Sequence, residues 1–117
     1  MSTRIVIVSD THCREWEEVS SSIRCAVSEA DIAIHCGDFT HMNVLEGFVN
    51  QSNQCIVVHG NSDPPDLRQA IPYIETVEIE KVHIGVTHPA WGGPPFDVEE
   101  LLNDFAQPMD VIVFGHV

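Results

Sequence analysis

Four short apolar runs constrain this chain more than any other feature. RIVIVS (4–9), DIAIHC (31–36), QCIVVH (54–59) and DVIVFG (110–115) are rich in β-branched residues and continuous rather than alternating. All four read as strands; for RIVIVS this is the pattern of a strand covered on both faces, and the last run likewise reads as a buried strand. Helical stretches separate them. In EWEEVSSSIRCAVSEA (15–30), Trp16, Val19, Ile23, Ala26, Val27 and Ala30 recur at three- and four-residue spacing. This predicts one amphipathic helix with an acidic, solvated first turn. MNVLEGFVNQ (42–51) reads as a second helix, and PPDLRQAIP (64–72) as a turn with a short helical piece. YIETVEIE (73–80) and VHIGVTH (82–88) read as a hairpin turning at Lys81, and PAWGGPP (89–95) as a loop. DVEELLNDFA (97–106) is a further helix with Asp97 as its N-cap. Strands alternating with helices imply an α/β fold with a largely parallel sheet, whose ligands bind beyond the carboxyl ends of the strands.

The residues that follow each strand are therefore the informative ones. They are Asp10-Thr11-His12, Gly37-Asp38, Gly60-Asn61-Ser62-Asp63, Thr87-His88 and Gly115-His116. Each glycine is expected to let the backbone turn tightly beneath the ligand that follows it. Polar residues at one strand end mean little. Five strand ends carrying carboxylate, amide and imidazole groups make a metal site the economical reading. Such donors, without thiolate, suit manganese, iron, zinc or a similar divalent ion. The candidates are too many for one ion, so two are expected. Two ions about 3.5–4 Å apart are a common device for phosphate ester hydrolysis, in which a metal-bound hydroxide attacks phosphorus. No Gly-x-x-x-x-Gly-Lys-[Ser/Thr] occurs, so a P-loop enzyme is not supported.

Charge agrees with bound cations. The chain's 117 residues carry a net charge of −13, with 18 acidic and five basic side chains. So acidic a surface repels nucleic-acid phosphates and anionic membranes, which excludes bulk binding to either. No secretory or membrane-spanning segment is evident, and the four cysteines form no Cys-x-x-Cys pair. A cytoplasmic protein with reduced, mostly buried thiols is expected.

The motifs SDTH, HCGDF, HGNSD, VTH and FGH, in this order, resemble those of calcineurin-like metallophosphoesterases. The branch most similar is that of the small prokaryotic phosphodiesterases, which share their fold with a retromer scaffold subunit. The resemblance covers residues 1–117 as a single domain. It implies an αββα sandwich of two sheets and a metal-dependent phosphodiesterase acting on a small phosphate ester. It also implies two divalent ions, manganese foremost, with iron, zinc, nickel or cobalt also fitting. Asp10 and His12 would hold the first ion, Asp38 would bridge both, and Asn61, His88 and His116 would hold the second. Three departures qualify this. The family's last motif is Gly-His-x-His, followed by further strands of the second sheet. Here the sequence ends at Val117, so the chain corresponds to roughly the N-terminal two thirds of the family domain, with part of the second sheet missing. The hairpin would then present an open edge, and self-association is expected. Ser62 stands where many members place a histidine that assists the leaving group, which favours diesters. Pro89 follows His88 where a second histidine is common. The alternatives are a non-enzymatic scaffold on the same fold and an inactive fragment.

Around this constellation, Arg14, His41, Ser62 and Trp91 could line the substrate. Arg14 reads more simply as part of a solvated helix start, and His41 as a surface loop residue. His35 and His59 read as packed or hydrogen-bonded strand residues, and His83 as exposed.

Overall fold

The computed structural model describes residues 2–89 and 96–115. Three parallel strands form the first sheet: β1 (Ile5–Val8), β2 (Ile32–His35) and β3 (Cys55–Val57), in the order β1-β2-β3. Register pairs Val8 with His35 and His35 with Val57, so the three carboxyl ends stand level. The second sheet has the order β4-β5-β6. Its β4 (Ile74–Ile79) and β5 (Val82–Thr87) form the expected hairpin, and β6 (Val111–Phe114) lies parallel to β5. Glu80 and Lys81 turn the hairpin with positive φ.

The central strand β2 explains the layering. All four of its residues are buried. Ala33 joins the cluster of Trp16, Val27, Val44, Leu45, Phe48 and Leu67, contributed by the helical layer. Ile32 and Ile34 point the other way, into the cluster of Ile56, Val58, Ile79, Ile84 and Val86 between the sheets. β1 and β6, expected to be buried strands, are less covered, with Ile7 52% and Phe114 44% exposed, because each lies at the side of its sheet among the described residues. The helical layer consists of α1 (Ser21–Glu29), α2 (Met42–Gln51) and α3 (Pro65–Ala70). Beyond the second sheet lies α4 (Val98–Asn103), followed by Phe105, whose ring packs over Gly85 of β5 so closely that a Cβ there would strike it. Asp97 caps α4, its carboxylate accepting from Glu99 N at 2.9 Å.

Two expectations need correction. The single helix over residues 15–30 is divided. Trp16–Glu18 form a 3₁₀ turn, and Val19 is extended before α1 begins. The serines at 20–22 favour capping over helix continuation. The break still buries Trp16 and Val19, and Arg24 Nε satisfies the Val19 carbonyl at 2.9 Å. The third strand stops at Val57, because His59 N donates to Pro72 O at 2.9 Å instead of continuing the ladder.

Candidate metal centre

The loops that leave β1 and β2 are bound to each other. Asp10 N donates to Gly37 O at 3.0 Å, and His12 N to Asp38 O at 3.4 Å. Asp10, His12, Asp38 and Thr40 all adopt positive φ, between 48° and 69°. None is glycine, so each conformation carries a cost that the surrounding contacts must offset. The consequence is convergence. One ligand-type atom from each of Asp10, His12 and Asp38 lies within 4.8 Å of the others. His12 Nε2 stands 3.8 Å from Asp10 Oδ1 and 3.5 Å from Asp38 Oδ2.

The second sheet adds one side chain. His88 follows β5 and is fully buried. Its Nδ1 lies 2.7 Å from Cys36 O, which can only accept, so Nδ1 carries the proton and Nε2 offers its lone pair. That lone pair faces Asn61 Oδ1 at 2.9 Å and Asp38 Oδ2 at 3.3 Å. Three electron-pair donors that face one another at these distances suit a cation. This donor set fits a divalent cation, and Asp38 Oδ2 faces both His12 and His88.

Close backbone approach makes the geometry achievable. Gly37 has φ +103°, and a Cβ on it would lie 2.7 Å from His88 Nδ1. Gly60 and Gly115 have no positive φ, unlike the tight-turn role expected of them. Their need is space: a Cβ on Gly60 would strike the Asp38 carboxylate, and one on Gly115 would strike Ser9 Oγ.

Asp63, 2% exposed, was not singled out by the sequence. Its carboxylate accepts from Gly60 N at 2.7 Å, Thr40 N at 2.7 Å and Asp38 N at 3.1 Å, joining the β2 and β3 loops. Its place in the Gly60-Asn61-Ser62-Asp63 turn was the available signal. Arg68 on α3 completes the frame, donating from Nε to Asp63 O at 2.8 Å and from Nη2 to Asn61 O at 2.6 Å. Ser62 N donates to Asp38 Oδ1 at 2.8 Å, leaving Oδ2 for the two histidines. Beneath the site His35 is buried, as expected. Its Nδ1 accepts from Gly37 N at 3.1 Å, and its Nε2–H donates to Thr11 Oγ1 at 3.2 Å. Burial holds its pKa down at about 3, against a smaller opposing pull from Asp10. Burial also pushes the Cys36 thiol up to about 12, so it stays protonated.

Asp10, His12, Asp38, Asn61 and His88 are thus brought together. Arg14, His41 and Ser62 are exposed nearby in chain, and His83 is exposed on the hairpin. His41 Nδ1 lies 3.2 Å from Cys13 O, a loop contact. His116 and Trp91 lie outside the described residues.

The family model for the calcineurin-like phosphoesterase superfamily domain matches residues 3–117. The chain belongs to this superfamily. A probable metallophosphoesterase of Methanocaldococcus jannaschii is 32% identical over 114 residues, which are 96% of this chain and 57% of that protein. The chain therefore spans little more than half of that curated relative. Among solved structures, a Thermotoga maritima protein determined by NMR is 30% identical with a TM-score of 0.78, over 98% of this chain and 73% of its own. A structure described as a novel archaeal phosphodiesterase is 25% identical with a TM-score of 0.64, over 97% of this chain and 72% of its own. Membership in the calcineurin-like superfamily agrees with the two-sheet architecture and with a group able to hold a divalent metal.

Proposed function

We propose that this chain carries a two-ion phosphoesterase centre that prefers small phosphodiesters. The observation that carries the reading is the position of Asp38 Oδ2, within 3.5 Å of His12 Nε2 and 3.3 Å of His88 Nε2. One carboxylate oxygen stands between two clusters of donors. Asp10 and His12 would hold one ion, and Asn61 and His88 the other, with His116 as a further donor to the second. Manganese is our first choice, and iron, zinc, nickel and cobalt suit the same donors. When bound, such ions supply charge to phosphate oxygens and acidity to a water.

The chain's own residues set the geometry. The Ser62 amide occupies Asp38 Oδ1, and Cys36 O fixes the His88 tautomer. A diester brings one negative charge to a site already holding Asp10 and Asp38, where a monoester brings nearly two. Ser62 cannot protonate a poor leaving group at neutral pH, which again favours an activated diester. The archaeal phosphodiesterase similarity supports the same preference. All four cysteines are unpaired, which suits the cytoplasm. Self-association belongs to the proposal too, since among the described residues β1 and β6 are each paired on one side and Ile7 and Phe114 are 52% and 44% exposed.

The test has two parts. Calorimetric titration with manganese should give two ions per chain, and Asp38→Ala should lose one and weaken the other. Paired nitrophenyl esters should show faster diester than monoester hydrolysis. Unchanged stoichiometry in Asp38→Ala, or a strong monoester preference, overturns the corresponding part.

A further inference from the structure

A cavity of about 220 Å³ adjoins the metal centre on the α3 side, lined by His59, Gly60, Asn61, Arg68 and Tyr73. Its position follows from the shortened third strand. The His59 N to Pro72 O hydrogen bond of 2.9 Å draws the chain before β4 alongside the end of β3. Tyr73 therefore lies beside His59, their ring centroids 5.7 Å apart and their planes tilted by 45°. Arg68 forms another wall. Its guanidinium donates to the carbonyls of Asp63 and Asn61 at 2.8 and 2.6 Å, which orients it. The wall shared with the metal centre is Asn61. Its side-chain oxygen faces His88 Nε2 at 2.9 Å, and the residue also lines the cavity.

Size and chemistry narrow the occupant. Pockets that enclose whole drug-sized ligands run to about 300–1,000 Å³. This one is smaller and shares Asn61 with the centre, so it suits one arm of a substrate. Two rings and a hydrogen-bonded guanidinium favour a flat unsaturated ring, through stacking and cation–π contact. An aliphatic arm would gain neither.

We infer that this cavity is a subsite for the ester substituent of a phosphodiester that carries a flat ring, such as an aryl group or a nucleobase. The inference rests on the phosphodiesterase reading above for its reaction, but ligand binding can be tested without turnover. Tyr73 is the chain's single tyrosine, so its ring resonances are unambiguous in NMR. With zinc as a diamagnetic ion, phenylphosphonate should shift those resonances saturably, and methylphosphonate should not. Kinetically, the kcat/KM ratio of bis(p-nitrophenyl) phosphate over methyl p-nitrophenyl phosphate should fall about tenfold in Tyr73→Ala, the size of a lost ring contact. Tyr73→Phe keeps the ring and should keep the ratio. Equal Tyr73 shifts with both phosphonates, no shifts at all, or an unchanged ratio in a folded Tyr73→Ala overturns the subsite. If Tyr73→Ala does not fold, the NMR titration of the unsubstituted chain decides. Absence of diester hydrolysis with selective phosphonate shifts would sink the phosphodiesterase reading and leave the ring-binding cavity standing.

Discussion

The parallel sheet β1–β3 and the mixed sheet β4–β6 are built from similar strands and treated differently by the fold. Helices pack on one face of the first sheet, and the second sheet packs on the other, so β2 is wholly buried. The hairpin of the second sheet leaves Glu75, Thr76, Glu78, Val82 and His83 exposed. The positive-φ residues of the centre, Asp10, His12 and Asp38, follow strands of the first sheet, while those of the second lie in its ordinary hairpin turn. The second sheet gives the described centre only His88, on a strand end pinned to Cys36 O. The positive-φ loops thus follow the sheet that is covered on both faces, and the less covered sheet delivers one preset imidazole.

If the sheets divide the labour in this way, damage to each should read out differently. Phe105→Ala removes the ring packed over Gly85, and should cost about 3–5 kcal/mol in chemical denaturation. Manganese affinity of the folded fraction should stay near its original value. A parallel loss of affinity would mean that the outer packing of the second sheet holds His88 in place.

Asp63→Ala works from the other side. It leaves three backbone N–H groups of the ligand loops without their carboxylate acceptor. A stability loss of about 2–4 kcal/mol is expected, because the amides it leaves are buried or partly buried donors without an acceptor. Manganese affinity should fall about 10–100-fold, and Asp63→Asn should restore part of it. Retained affinity in Asp63→Ala would show that the ions themselves organise the loops.

A pH series sharpens the contrast further. His35 lies under the first sheet's loops with a folded pKa of about 3, below the ordinary value of 6.5. Between those values the unfolded chain binds the proton and the folded chain does not. Stability therefore falls as pH drops from 6.5 toward 3, by at most about 1.4 kcal/mol per unit from this group. The slope should flatten in His35→Gln if that variant keeps the bonds to Gly37 and Thr11. An unchanged slope would move the acid sensitivity elsewhere.

Much of this was legible in the sequence because it depends on local pattern. The apolar runs marked the strands though not their burial, which is complete only in β2; MNVLEGFVNQ marked α2 to the residue, and strand-end Asp, His and Asn marked the five side chains that converge. What escaped depends on partners distant in the chain. Asp63 matters through amides at positions 38, 40 and 60, and no spacing rule reveals that. Positive φ at Asp10, His12 and Asp38 was hidden because none is glycine. The break after Trp16–Glu18 was hidden because helical spacing persists across it.

The Cys36–His88 hydrogen bond joins residues 52 apart in sequence. A closure that long is made only after much of the chain has already collapsed, when both sheets have come into register. The second cluster of donors is thus absent from early folding species. An ion that needs His88 would find no partial site there, and its binding energy would be realised after the rate-limiting barrier. Saturating metal should then leave the folding rate nearly unchanged and slow unfolding, so that the native state gains lifetime rather than speed of assembly.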